Sequence, residues 1–115
     1  MKDKFFVPFE TAQALKAAGY NEECKDWYDS KGVLWSNDTF EPNNSDLAEM
    51  QYSAPTYHEV VDWLKGKKVR IYAEYCKGWA GFIDNGEAKE VEATAVYSTR
   101  EEALNAAILK ALEMI

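Results

Sequence analysis

Histidine occurs once in this sequence, cysteine twice, proline three times and glycine six times, and each scarcity removes a class of chemistry. His58 falls in the first turn of a predicted helix, off its apolar face, so it reads as solvent-exposed rather than as a general base. Cys24 and Cys76 lie far apart, form no Cys-x-x-Cys pair, and have nothing local that brings either against His58 for nucleophilic catalysis. No His/Cys/Asp/Glu group has zinc or calcium spacing, so neither metal nor cofactor is expected. The glycines fall at turns and helix ends, and no Gly-rich phosphate loop is present. No stretch approaches the roughly 18 apolar residues of a membrane span. Met1-Lys2-Asp3-Lys4 leads into Phe5-Phe6-Val7-Pro8 without the long apolar stretch of a signal peptide. These absences predict a non-enzymatic protein in a reducing, cytoplasmic setting, away from membranes, with both thiols free.

What is present is globular. Hydrophobic residues at 47% and charged residues at 29% exclude the composition of disorder, and 115 residues fit one domain, spanning 1–115. Aromatics reach 14%, enough to fill a core and leave a surplus for a binding face. The net charge is −7, and the excess is concentrated early: residues 1–50 carry 5 basic and 10 acidic side chains, residues 51–115 carry 8 and 10. Such a balance disfavours nonspecific contact with phosphate backbones and serves solubility.

The element order follows from local signals. Pro8 and Gly19 bracket a helix over Phe9–Ala18, rich in alanine. Cys24–Asp29 and Val33–Ser36 flank the polar turn Asp29-Ser30-Lys31-Gly32 as a hairpin, with Asp26 and Asp29 as strand-surface charges. Residues 37–55 are irregular, with turn chemistry at Asn37-Asp38 and Pro42-Asn43-Asn44-Ser45 and a short helix expected over Asp46–Gln51. Thr56 and Glu59 have capping-box spacing before Tyr57, Val60, Val61 and Leu64, and Gly66 ends that helix. Val69–Tyr75, Trp79–Asp84 and a strand placing Val91, Ala93, Ala95 and Tyr97 on one face, with Glu90, Glu92 and Thr94 on the other, follow. Asp84-Asn85-Gly86-Glu87 reads as a type I′ turn between the last two. Ser98 or Thr99, with Glu101 or Glu102, caps a final helix whose stripe is Leu104, Ala107, Ile108, Ala111, Leu112 and Ile115. The fold class is α+β, order α-β-β-α-β-β-β-α, an antiparallel sheet with helices packed on one face.

Three segments, FETAQALKAAGY (Phe9–Tyr20), SAPTYHEVVDWLK (Ser53–Lys65) and YSTREEALNAAILKALEMI (Tyr97–Ile115), resemble in order and spacing a group of small hypothetical proteins of phages, prophages and mobile elements in gut bacteria. The resemblance implies a setting and carries no activity with it. From Thr56 onward, the order α-β-β-β-α and the Glu102-Ala103-Leu104-Asn105-Ala106-Ala107 pattern resemble the double-stranded RNA-binding domain. That family grips phosphate with lysines at the start of its last helix, whereas Arg100, Glu101 and Leu104 stand at those positions here.

Two surfaces are candidates for binding. The aromatic set Trp27, Tyr28, Trp35, Phe40 and Tyr52 lies on or beside the irregular loop, in segments of weak alternation, and residues of this kind anchor protein interfaces. Trp63 and Trp79 are expected to be structural. The basic set Lys65, Lys67, Lys68 and Arg70 could meet phosphate or an acidic partner, or offset a helix dipole. The expectation is a phage or mobile-element accessory protein that binds a protein partner as a monomer or homodimer, an unpaired sheet edge being able to pair with its copy. The alternative is a nucleic-acid-binding module, with mimicry of DNA by the acidic face as a third reading.

Overall fold

Pro8 holds an extended backbone (φ −64°, ψ 161°) ahead of helix α1, Phe9–Ala17, and its carbonyl accepts the amide of Ala12 at 2.9 Å to open the helix. The computed structural model describes residues 5–36, 39, 41–86 and 91–115. The chain falls into two compact units, Met1–Thr56 and Tyr57–Ile115, taken in turn. Its elements run in the order expected, with a two-residue strand added before the second helix, and the strands pair antiparallel in two three-stranded sheets.

In the N-terminal unit α1 ends as its glycine predicts. Tyr20 donates to the Leu15 carbonyl, Gly19 donates to that of Lys16, and Gly19 takes φ 96°. This is a Schellman close, in which a left-handed residue lets the chain reverse over the last carbonyls. Strands β1 (Asp26–Tyr28), β2 (Leu34–Ser36) and β3 (Tyr52–Ser53) form a sheet ordered β2-β1-β3. The core beneath gathers Val7, Ala12, Leu15, Tyr20, Cys24, Tyr28 and Ala54. Buried Asn44 ties it to the loop, donating to the Tyr20 carbonyl at 2.7 Å and accepting from the Ser53 amide at 2.9 Å.

The short helix expected over Asp46–Gln51 does not form; those residues make turns. Side chains take the groups a helix would need. Asn43 accepts the Asp46 amide at 3.0 Å, and the Lys16 ammonium donates to the carbonyls of Ala48 and Gln51 at 2.9 and 2.7 Å. Partial burial lowers the pKa of Lys16, with the Glu49 charge opposing.

The C-terminal unit comprises α2 (Tyr57–Gly66), β4 (Arg70–Tyr75), β5 (Trp79–Asp84), β6 (Glu92–Tyr97) and α3 (Arg100–Leu112), with sheet order β4-β5-β6. Helix α3 packs on all three strands, and α2 packs on β4 and α3. Thr99, rather than Ser98, caps α3: its hydroxyl oxygen accepts the Glu102 amide at 3.1 Å. Glu102 in turn accepts from the Thr99 and Ser98 hydroxyls at 2.9 and 3.0 Å, bonds that hold its carboxyl below the ordinary range. The buried stripe is Ala103, Leu104, Ala107, Ile108 and Ala111, whereas Ile115 is exposed.

Two backbone details set the packing. Helix α3 lies so close to β5 that a Cβ built on Gly81 would fall inside contact distance of the Ala103 carbonyl oxygen and 3.0 Å from the Ala107 methyl. Opposite this point β6 carries an extra residue: Ala80 pairs with Val96, but Phe82 pairs with Ala93. The bulge corrects the expected alternation, because it leaves Ala93 on the side of Phe82 and Tyr97 on the opposite side, beside Trp79. The turn ahead of β6 has Gly86 at φ 77°, its amide donating to Asp84 at 2.9 Å; Glu87 and Glu90 lie outside the described residues.

Helix α2 closes by the same Schellman geometry as α1, with Val69 and Lys68 donating to the Leu64 and Lys65 carbonyls. Here Lys68, not Gly66, occupies the left-handed position, at φ 65°. Lys68→Gly should therefore stabilise the C-terminal unit by about 1 kcal/mol, measured by urea unfolding. Gly81→Ala should destabilise it by about 1–3 kcal/mol, because α3 must retreat from the strand.

Candidate binding surface

The β1–β2 hairpin is organised by one carboxylate. Asp29 begins the turn, donating its amide to the Val33 carbonyl at 3.0 Å, with Gly32 at φ 81° completing the reversal. One side-chain oxygen of Asp29 accepts the amides of Lys31 at 2.8 Å and Val33 at 3.0 Å. The other accepts the indole N–H of Trp35 at 2.9 Å. The Trp35 bond foremost, then the Val33 amide, with lesser help from the Lys31 amide and charge, hold the Asp29 carboxyl below the ordinary aspartate range against an opposing desolvation. Asp29, expected as a plain strand-surface charge, is a clamp. Asp26 is also engaged, accepting from the Ser36 hydroxyl.

The clamp acts on a tryptophan pair. Trp27 and Trp35 are direct cross-strand partners, their rings stacked with centroids 6.0 Å apart and planes 18° from parallel. Trp35 stays 52% exposed and Val33, two residues before it, 50%; Trp27 is half-buried. Such a pair contributes beyond its area, and the Trp35 indole N–H is satisfied by Asp29.

The other expected members of the aromatic surface divide. Tyr28 is a correction: it is buried, its hydroxyl donates to the Val7 carbonyl at 2.6 Å, and its ring meets Phe9 edge-on at 5.6 Å. Adjacent to Trp27 in the strand, it points to the opposite side, as the strand period requires. Tyr52 pairs with Tyr28, meets Phe9 at 5.7 Å and lies 5.3 Å under the Lys16 ammonium, so it belongs with the core side. Phe40 lies outside the described residues.

The basic residues gather at one end of the C-terminal unit. Lys65, Lys68, Val69 and Arg70 line a shallow cavity of about 280 Å³ with Asp84 and Gly86, and Lys67 and Lys68 line a neighbouring one with Met114 and Ile115. Arg70 faces Asp84 at 3.5 Å, and the Lys67 ammonium stands 4.8 Å from the Trp63 ring. The cluster thus stands at the C-terminal ends of both α2 and α3, where lysines offset the negative ends of the helix dipoles. Arg100 is at the other end of α3, about 20 Å away along a helix of 13 residues.

One aromatic row was not visible in the sequence. Tyr75, Trp79 and Tyr97 stand opposite one another across β4, β5 and β6, Tyr75 being 67% exposed and 5.4 Å from Trp79. The tight Cys76–Gly78 turn was the only signal for that register, and Trp79 read as structural without it.

Little else resembles a reactive site. His58 is 85% exposed beside Asp62 at 3.4 Å; Cys24 is buried and Cys76 exposed, and neither is in a disulfide. Among the described residues no group of three or more His, Cys, Asp or Glu side chains could hold a metal, and no helix is long and apolar enough to cross a membrane. The hairpin offers ordered indole faces with the Asp29 carboxylate at their edge.

The Asp29 contribution has a definite sign with pH. Because folding lowers its pKa, the stabilisation is fully present above the unfolded-state value and is lost as pH falls through the folded one. Near-UV circular dichroism of the tryptophans should therefore weaken on acidification below the ordinary aspartate range. Asp29→Asn should lack that component of the acid transition. An unchanged acid transition in Asp29→Asn would assign the loss to other carboxylates.

Comparison with known proteins finds no match for this chain among protein-family models, curated proteins or solved structures.

Proposed function

We propose that this chain is a non-catalytic binding protein whose N-terminal unit presents Trp27 and Trp35 to a protein partner. The observation that carries this reading is the Asp29 clamp on a half-exposed tryptophan pair. Exposed indoles ordinarily lose rotamer freedom when a partner covers them. Here stacking and the Asp29 bond have already restricted the rings, so less freedom remains to be lost. Rigid aromatic anchors of this kind dominate interface energetics. The setting we propose, an accessory protein of a phage or mobile element in a bacterial cytoplasm, rests on the three-segment resemblance and on nothing in the hairpin itself.

The double-stranded RNA alternative draws support from the α2-β4-β5-β6-α3 order. Its charge arrangement weighs the other way. Lys65, Lys67, Lys68 and Arg70 crown two helix C-termini, where the dipole repels phosphate. At the opposite end Arg100 is followed by Glu101 and Glu102.

Tagged full-length protein, used to capture partners from bacterial lysate with and without nuclease, separates the two. A protein retained in both arms by wild type and by Lys67→Glu/Lys68→Glu, and lost from Trp35→Ala, is the expected result. Material retained only without nuclease, and lost from the lysine variant, would overturn the protein-binding reading in favour of nucleic acid.

A further inference from the structure

The hairpin that holds the tryptophan pair also carries an excess of negative charge. Glu22, Glu23, Asp26 and Asp29 stand against Lys25 and Lys31 between residues 22 and 36. Across residues 1–56 the balance is 10 acidic to 5 basic side chains. One of those carboxylates, Asp29, is bonded directly to the Trp35 indole N–H. A carboxylate accepting a hydrogen bond from that N–H pushes electron density into the ring, and its own charge lies at the ring edge. Both effects make the exposed indole face more attractive to a cation, which already favours tryptophan above other aromatic faces. The pairing is native to this chain, where Lys67 stands over Trp63 at 4.8 Å and Lys16 over Tyr52 at 5.3 Å.

Building on the proposed binding role, we infer that the Trp27–Trp35 surface takes a cationic, arginine-bearing peptide segment of its partner. Arginine suits it better than lysine. A guanidinium is planar and weakly hydrated, so it stacks flat on an exposed indole while its N–H groups remain free to meet carboxylates. Val33, 50% exposed two residues before Trp35, offers apolar surface to the side-chain stem. Lys31 is the native competitor: its charge acts on Asp29, and it lies in the same turn.

Fluorescence polarisation of a labelled arginine–glycine repeat peptide tests this with the full-length chain, using lysine–glycine and glutamate–glycine repeats as controls. The arginine peptide should bind best and the glutamate peptide not at all, with affinity falling as salt rises. Trp35→Ala should weaken binding about tenfold, and Trp35→Phe by less. Lys31→Ala should tighten it, a gain that a misfolded hairpin could not produce. Equal binding by wild type and Trp35→Ala would reduce the effect to diffuse attraction by an acidic chain and overturn the inference, as would no binding of the arginine peptide. If the peptide fails while Trp35→Ala still loses a lysate partner, the cationic class falls and the tryptophan surface stands. If Trp35→Ala changes neither, both fall.

Discussion

Asp29 accepts three N–H groups with one carboxylate, and the character of the N-terminal unit's surface depends on that arrangement. Two of the bonds close the turn and so set which β2 residue faces which β1 residue. A slip of one position would carry Trp35 to the other side of the sheet and leave Trp27 without its partner. The third bond fixes the ring that the register has delivered. Turn geometry, strand register and aromatic order are thus one cooperative feature, with a lowered carboxyl pKa as its electrostatic trace.

The C-terminal unit answers to a different constraint, the close approach of α3 to β5 at Gly81. Small residues on the helix, Ala103 and Ala107, and the lack of any side chain at Gly81 on the strand let the two backbones meet. The bulge in β6 sits opposite this contact and re-aims the strand. It also disturbs an edge that would otherwise invite pairing with a second chain. The basic residues of this unit are placed by helix ends rather than by a groove. Lys68 even accepts a left-handed backbone to close α2.

Much of this was legible from local chemistry. Pro8 and Gly19 delimited α1, and a capping box at Ser98 or Thr99 with Glu101 or Glu102 marked the start of α3. Alternation marked β4, and the polar turn at Asp29–Gly32 marked the first hairpin. What failed to show depended on contacts distant in sequence. The helix expected over Asp46–Gln51 is displaced by Lys16, more than thirty positions away. The bulge that reverses Ala93 relative to Tyr97 lies opposite the close packing at Gly81, and no β6 residue announces it. Tyr28 and Trp27 are neighbours of similar kind, and only the register tells that one fills the core while the other faces outward. Asp29 read as a surface charge because its bond to Trp35 needs the turn folded first.

The most direct test of the central claim is optical. In a Trp63→Phe/Trp79→Phe background only Trp27 and Trp35 remain, and two stacked indoles couple their transitions into a paired positive and negative band in far-ultraviolet circular dichroism. The account predicts that couplet in the free protein, its disappearance in Trp27→Phe, and its weakening in Asp29→Asn. A spectrum without the couplet, or one indifferent to Trp27→Phe, would mean that the tryptophan pair is not formed before a partner arrives.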